Sequence, residues 1–154
     1  AAFYGERKVA GEHRAMLLTR ALDGWNDLDS LLEQWSQLSD AQHRAILLAC
    51  GQLARRLHSV GQVHGCFYPK HIFLRATGDG YTAQLIDLEK TRPLLFGWRD
   101  RVKDLEPLLR RAPQWSDAQI RHLLAVYLEH PEDSPLVATW QQRLTARRSH
   151  KESR

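Results

Sequence analysis

The segment from residue 63 to residue 90 places the strongest constraint on the fold of this chain. It begins with a polar loop, HGCFYPKH at 64–71, which leads into the short apolar run IFL at 72–74. The sequence TGDG at 77–80 supplies the residues that tolerate positive φ in a hairpin turn, and it predicts that residues 71–75 pair with residues 81–87. Because the second strand ends in the sequence LID, the hairpin should bring Asp87 close to the loop.

Around this hairpin the sequence predicts helices. The tetrapeptide SDAQ occurs at 39–42 and at 116–119, and in each copy the Ser and Gln side chains can form a capping box that starts a helix. The first of these helices should end near Gly61, which tolerates the left-handed conformation that follows many helices. Apolar spacing predicts three further helices, over 27–35, 98–111 and 136–146. Pro107 predicts a kink or an early end in the second of these.

Two strands, at 4–9 and 13–22, precede the helices, so the predicted fold class is α+β and mostly helical. The chain has 154 residues, of which 43% are apolar and 26% are charged, as in one globular domain. No apolar run approaches the roughly 20 residues that cross a bilayer, and no signal peptide is apparent, which predicts a cytoplasmic protein. Cys50 and Cys66 do not indicate a disulfide framework.

The net charge of +4 is concentrated near the end of the chain, in a basic tail at 149–154 and the arginines before it. Such a tail can attract an anionic membrane or nucleic acid, or it can be a solvated terminus. No aromatic and basic motif accompanies the charge, so nucleic acid is not a predicted partner. Any membrane contact should be peripheral.

The loop and the hairpin together resemble the catalytic region of kinases, in which H-x-D-x-x-x-x-N precedes a metal-binding Asp. His64 occupies the His position, Cys66 the position of the catalytic Asp, and His71 the position of the Asn. The sequence RVKDL at 101–105 is similar to a short R-x-K-D-L helix start. With these motifs the chain resembles, from about residue 4 to residue 111, the lipopolysaccharide kinase family, which includes the Kdo and heptose kinases of the Gram-negative inner core.

The resemblance implies a single kinase-like domain over 1–150. Residues 1–24 would be the last two strands of the small lobe and the linker, and 25–148 the helical C-terminal lobe. Backbone groups of Ala21 and Leu22 would face an adenine. Only 17 positions separate Asp87 from Asp104, which leaves no room for a long activation segment.

Several parts of a complete kinase have no counterpart here. The chain lacks a Gly-rich loop, a strand lysine of the V-A-I-K kind and the helix that carries its Glu partner. The chain begins without a Met. This favours a sequence that omits the N-terminal lobe of a longer protein over a native protein that has lost the lobe. We therefore expect this chain alone to have little or no kinase activity, and lean towards an enzyme for the intact protein.

The implied cofactors are ATP and Mg²⁺. Asp87 would bind the metal through carboxylate oxygen, although a turn-capping Asp would fit the same pattern. Mg²⁺ prefers oxygen to imidazole, so His71, at the second metal-facing position, would bond a phosphate or Asp87, or it is a histidine satisfied at the loop junction. Lys70 would contact a phosphate or be an exposed loop lysine.

Cys66 is the main departure from the kinase pattern. A neutral thiol accepts a hydrogen bond from a substrate hydroxyl only weakly, and an ordinary thiol has a pKa of roughly 8.5. Cys66 is therefore either a degenerate loop residue or a weak replacement for the catalytic Asp. Glu89 is the one nearby carboxylate that can serve as a base or as a second metal ligand.

Two further residues are predicted to support the site. His64 would brace the strand that carries Asp87. Asp104 would orient the catalytic loop from beneath by hydrogen bonds, or it would interact with the dipole of its helix.

Two functions follow from these residues. The first is an ATP-dependent kinase that phosphorylates a sugar hydroxyl of lipopolysaccharide core or of a similar small molecule. The second is a pseudokinase that keeps the fold as a binding or scaffold module, as Cys66 suggests. A position of Glu89 beside Asp87 would favour the first, and a position away from the pocket would favour the second.

Overall fold

The computed structural model describes residues 3–78 and 80–152, with side chains as far as residue 148. It has an α+β fold in which helices predominate. The helices are α1 (Leu28–Glu33), α2 (Asp40–Ser59), α3 (Trp98–Arg110), α4 (Asp117–Leu128) and α5 (Pro135–Glu152). The strands are β1 (Phe3–Val9), β2 (Glu12–Leu18), β3 (Asn26–Asp27), β4 (Gln62–Val63), β5 (Ile72–Thr77), β6 (Gly80–Leu85) and β7 (Arg92–Pro93). Short 3₁₀ turns lie at 35–37, 69–71 and 88–90.

Both predicted capping boxes are present. The amide of Ser39 donates to Gln42 Oε1 at 2.9 Å, and the amide of Gln42 donates to Ser39 Oγ at 3.3 Å. Ser116 and Gln119 make the same pair of bonds at the start of α4. These bonds satisfy amides that have no partner inside the helix, which is why both helices begin where the tetrapeptide predicts.

Helices α2 and α4 pack closely because α2 has a glycine at the contact. A Cβ atom on Gly51 would lie 2.9 Å from the carbonyl oxygen of Leu123 and 2.9 Å from Val126 Cγ1. The core around this contact is apolar and nearly free of solvent. The largest apolar side chains that are fully buried in it are Leu28, Ile46, Leu47, Phe67, Ile72, Leu74, Leu105, Leu108, Leu123 and Leu124.

The predicted hairpin is confirmed as β5 and β6, which pair antiparallel from Ile72 opposite Leu85 to Thr77 opposite Gly80. Ile72 and Leu74 turn one face of β5 into the core. Strand β3 pairs with β5 and extends the sheet to three strands. The predicted turn contains Asp79, which lies outside the described residues.

The two leading strands pair antiparallel, but the second is shorter than predicted. It ends at Leu18 rather than at residue 22, and Leu18 pairs with Phe3, the first described residue. Its apolar residues lie outside the core: Met16, Leu17 and Leu18 are between 51% and 63% exposed. After β2 the chain runs through residues 19–25 to a turn in which the amide of Trp25 bonds the carbonyl of Leu22 at 3.1 Å.

The other helices differ from prediction at their ends. α3 passes Pro107 and continues to Arg110, so the proline does not end it early. α5 runs to Glu152 instead of ending near residue 146, because no Gly or Pro interrupts the last part of the sequence. Part of the predicted basic tail is thus helical, while residues 153–154 are outside the described range. Among the described helices, none combines the length and the apolar character that a bilayer crossing requires.

Candidate active site

A cleft of about 1010 Å³ lies between the end of β2, the segment that follows it and the end of β6. Ala21 and Leu22, predicted to face an adenine, line this cleft, and so does Asp87, predicted to bind a metal. The remaining lining residues are Leu17, Thr19, Arg20, Trp25, Arg75, Gln84, Leu85, Ile86 and Leu88. The structure thus brings the predicted linker and the predicted metal ligand to one cavity.

His64 joins the loop to the strand that leads to Asp87. The histidine is fully buried, its Nδ1 lies 3.3 Å from the amide of Cys66, and its Nε2 lies 3.0 Å from the carbonyl oxygen of Ile86. Because the amide can only donate and the carbonyl can only accept, Nδ1 is the acceptor and Nε2 carries the proton. This neutral tautomer holds the residue before Asp87 against the loop.

Asp104 lies beneath the loop and accepts hydrogen bonds from its backbone. Its Oδ2 accepts from the amide of His64 at 2.8 Å, and its Oδ1 accepts from the amide of Gly65 at 2.8 Å. Each amide is therefore satisfied by a buried carboxylate from α3, and a buried carboxylate needs such partners. The predicted role of Asp104 as an orienting residue stays a prediction, and these are the contacts on which it rests.

Gly65 lets the loop approach the segment that follows Asp87. Its φ is +79°, a conformation that other residues rarely adopt. A Cβ atom at this position would lie only 2.6 Å from the carbonyl oxygen of Lys90. The backbone at 65 and the backbone at 90 can therefore pack together only around a glycine.

His71 and Asp87 face each other beside the cleft, whose lining includes Asp87 but not the buried His71. His71 Nδ1 lies 2.8 Å from the carbonyl oxygen of Cys66 and must donate to it, while Nε2 lies 3.2 Å from Asp87 Oδ2. Nδ1 already carries one proton of the ring. The contact between Nε2 and the carboxylate is favourable when Nε2 carries a second proton of the ring, or when a cation lies between the two side chains. The pair can hold a proton or share a cation.

Asp87 has a backbone conformation that suits a site residue. Its φ and ψ are +58° and +56°, in the left-handed region that Asp tolerates better than most residues, and its side chain is 46% exposed. Strained backbone of this kind is concentrated at functional sites. The carboxylate is therefore directed by the backbone and remains accessible to a ligand.

The other predicted residues are not gathered around the cleft. Lys70 and Glu89 are exposed, and neither belongs to the cleft lining. Cys66 is 9% exposed, with a free thiol, and it too is absent from the lining. Glu89, the predicted alternative base, thus does not line the cavity that contains Asp87.

Sequence reasoning missed the support beneath Asp104. His58 is buried, with Nε2 3.0 Å from Asp104 Oδ2 and Nδ1 2.8 Å from the hydroxyl oxygen of Tyr127. Burial raises the pKa of Tyr127, so its hydroxyl stays protonated beside His58. This network connects α4 and α2 through α3 to the loop. The available signal was a histidine on the apolar face of α2.

Sequence reasoning also missed a cation and an aromatic ring in the cleft. The guanidinium of Arg75 lies 4.8 Å from the ring centroid of Trp25, and both residues line the cavity. Alternation along β5 could have indicated Arg75, because Ile72 and Leu74 occupy the buried face and Arg75 lies on the other. Arg75 places a positive charge in a cavity that also contains Asp87.

The segment after Asp87 is held by an ion pair between a buried carboxylate and a partly exposed arginine. Asp100, in the first turn of α3, accepts from Arg92 Nη2 at 2.9 Å and from the amides of Leu95 and Phe96 at 2.9 and 3.0 Å. The Arg92 guanidinium and these amides hold the pKa of Asp100 far below its usual range. The short connection between Asp87 and α3 therefore has a fixed end.

Within the described part of the chain, no three His, Cys, Asp or Glu side chains come together to form a complete metal cage. The pair of Asp87 and His71 instead fits a Mg²⁺ ion that takes one carboxylate from protein and its other oxygens from phosphates and water. Imidazole is the weaker part of this donor set, because Mg²⁺ prefers oxygen.

Comparisons with known proteins identify the family and the fold of the chain. The family described as the lipopolysaccharide kinase (Kdo/WaaP) family matches residues 1–127. Protein InaA of Escherichia coli (strain K12) is 33% identical over 115 residues, which cover 68% of this chain and 53% of InaA. The chain thus spans about half the length of that relative. The structure titled WaaP in complex with acyl carrier protein is similar with a TM-score of 0.73 and 23% identity, covering 94% of this chain and 66% of that chain.

Proposed function

The chain belongs to the lipopolysaccharide kinase (Kdo/WaaP) family, with the fold of WaaP, and on that premise we propose that it is part of an ATP-dependent phosphotransferase acting on a sugar hydroxyl of lipopolysaccharide core or a similar small molecule. The observation that carries the proposal is the cleft in which the Ala21–Leu22 segment and Asp87 meet. The location that we propose is the cytoplasm, at the inner face of the inner membrane.

In this proposal the cleft binds ATP, with the adenine beside Ala21 and Leu22 and the phosphates towards Asp87. Asp87 and His71 would hold Mg²⁺, which neutralises phosphate charge during transfer. Arg75 would add a positive charge on the same side of the cavity. Lys70, exposed beside the loop, is proposed to contact the phosphate from outside the cleft lining.

The remaining loop residues would position these groups. His64 holds the carbonyl of Ile86, and Asp104 holds the amides of His64 and Gly65. Their hydrogen bonds fix the loop before a substrate arrives, and positioning supplies most of the catalysis in phosphoryl transfer.

A second candidate function is binding without transfer, as in a pseudokinase. It is favoured by Cys66 at the position of the catalytic Asp and by the exposed position of Glu89 outside the cleft lining. No carboxylate other than Asp87 lines the described cleft, so a substrate hydroxyl would lack a strong acceptor for its proton. The two candidates share the cleft and differ in the chemistry at residue 66.

Calorimetry of Mg²⁺ and ATP with the full-length protein tests what the candidates share. We expect binding by the wild type and its loss in Asp87→Ala. Asp133→Ala removes an exposed carboxylate from the turn between α4 and α5 and should bind like the wild type. Absence of binding by the wild type would refute the phosphotransferase and leave only a scaffold module that does not bind ATP, and equal binding by Asp87→Ala would refute the role proposed for Asp87.

Transfer of labelled phosphate from ATP to lipopolysaccharide core oligosaccharide then separates them. Transfer by the wild type that Cys66→Ser abolishes would support the phosphotransferase. Binding of ATP without transfer, together with transfer gained in Cys66→Asp, would support the pseudokinase. Transfer that Asp87→Ala leaves unchanged would show that the label comes from another enzyme in the preparation.

A further inference from the structure

A second cavity, of about 320 Å³, lies on the other side of the segment that follows Asp87. It is bounded by Gly65 and Tyr68 of the loop, by residues 90 and 92, by α3 and by one residue of α5. It has no lining residue in common with the cleft described above. The cavity is therefore a separate place for a ligand, beneath the same loop.

The lining of this cavity is strongly basic. It contains five cations, Lys90, Arg92, Lys103, Arg110 and Arg147. It contains two carboxylates, and both are already used within the fold. Asp100 accepts from Arg92 and two backbone amides, and Asp104 accepts from the loop amides and from His58. Five cations and two carboxylates leave an excess of three positive charges in the lining.

Three of the cations have no partner among the described residues. Arg92 is paired with Asp100, and Arg110 Nε donates to Glu106 Oε1 at 2.8 Å. By contrast, no hydrogen bond or ion pair within the described chain involves the side chains of Lys90, Lys103 and Arg147. The Nε atom of Arg147 is also shielded from solvent without a hydrogen-bond partner. A shielded guanidinium nitrogen of this kind costs stability unless an acceptor satisfies it.

We propose that this cavity binds a phosphate-bearing anion, held by Lys90, Lys103 and Arg147. Three converging cations from the loop segment, α3 and α5 suit a multiply charged oxyanion better than a single carboxylate. The phosphate can be free in solution or carried by a lipid. Lys90 packs against Gly65 and follows Asp87 by three residues, so a bound anion would tie α3 and α5 to the backbone of the catalytic loop. The proposal requires neither ATP binding nor phosphoryl transfer.

Nuclear magnetic resonance of the full chain, titrated with inorganic phosphate in low salt, tests the site. We expect the Gly65 amide signal to shift and to saturate, while the Leu22 amide in the cleft does not. Lys90→Gln and Lys103→Gln remove exposed cations and should each weaken binding about tenfold or more. Lys8→Gln, on the exposed strand β1, is the matched control and should bind like the wild type.

Dihexanoyl phosphatidic acid provides the second arm of the titration. Binding that is tighter than that of inorganic phosphate and equally sensitive to Lys103→Gln would assign the site to a lipid-borne phosphate, and similar affinities would assign it to free phosphate. No shift at Gly65 with either probe would overturn the proposal. So would a shift that Lys8→Gln weakens as much as Lys103→Gln does. Asp87 does not line this cavity, so the shift of the Gly65 signal with phosphate should persist in Asp87→Ala. Failure of the ATP proposal would therefore leave the Gly65 result unchanged.

Discussion

Replacement of Asp104 by Ala tests the idea that one buried carboxylate shapes the loop. The substitution removes the acceptor of two backbone amides at 2.8 Å and of His58 Nε2 at 3.0 Å. A hydrogen bond to a charged group contributes about 1.5–3 kcal/mol, and the donors left behind are buried. We expect a loss of about 3–5 kcal/mol in the free energy of unfolding, a large part of the roughly 5–15 kcal/mol of an ordinary domain.

Urea unfolding gives the stability, and amide hydrogen exchange gives the location of the loss. The Gly65 amide should exchange much faster in Asp104→Ala than in the wild type, while core amides of α2 follow the global stability alone. Tyr127→Phe removes the hydroxyl that contacts His58 at the far end of the network and should cost about 1 kcal/mol. Asp133→Ala should change stability by less than about 0.5 kcal/mol. Equal stabilities for Asp104→Ala and Asp133→Ala would refute the reasoning.

Three other predictions follow from single contacts. Gly65→Ala should lower stability and ATP binding together, measured by urea unfolding and calorimetry, because its Cβ would lie 2.6 Å from the Lys90 carbonyl; Gly78→Ala, with open space around it, is the control for positive φ alone. The pKa of Asp100 is lowered from its usual 3.8, so the ionised carboxylate contributes fully to stability above that pH. This contribution is lost as the pH falls below it. In an acid titration, Arg92→Gln should therefore lose less stability below about pH 4 than the wild type loses. Burial raises the pKa of Cys50 to about 12, so in Cys66→Ser at pH 8 about one thiol in ten thousand is ionised, and iodoacetamide should react only after urea unfolds the protein.

Much of the fold was predictable because its signals are local. The two SDAQ capping boxes begin α2 and α4, and the TGDG sequence joins β5 to β6. The errors lie at the ends of elements. Strand β2 ends at Leu18, opposite Phe3 of β1, and no local pattern in β2 reveals this pairing. Helix α5 exceeds its predicted end because nothing in its last residues breaks a helix.

The part of the site that is formed by residues close in sequence, or by a short motif, was predictable. Asp87 and His71 are close because a hairpin joins them, and Asp104 lies under the loop that its motif implied. The network through His58 and Tyr127 was not predictable, since it depends on how three helices pack. Glu89 is close to Asp87 in sequence, but the turn at 88–90 leaves it exposed and outside the cleft lining, so its role as a base stays a prediction that sequence distance alone does not support.

The hydrogen bonds of the loop also bear on what Cys66 does. Cys66 takes part through its backbone, because its amide faces His64 Nδ1 and its carbonyl accepts from His71 Nδ1. Among the described residues, no hydrogen bond of the loop involves the thiol. The hydrogen bonds of the loop therefore do not depend on the side chain at 66. In the proposed function, the proton acceptor offered to a substrate does depend on that side chain. We therefore expect Cys66→Asp to change phosphoryl transfer without removing the hydrogen bonds from His64 and Asp104 that support the loop.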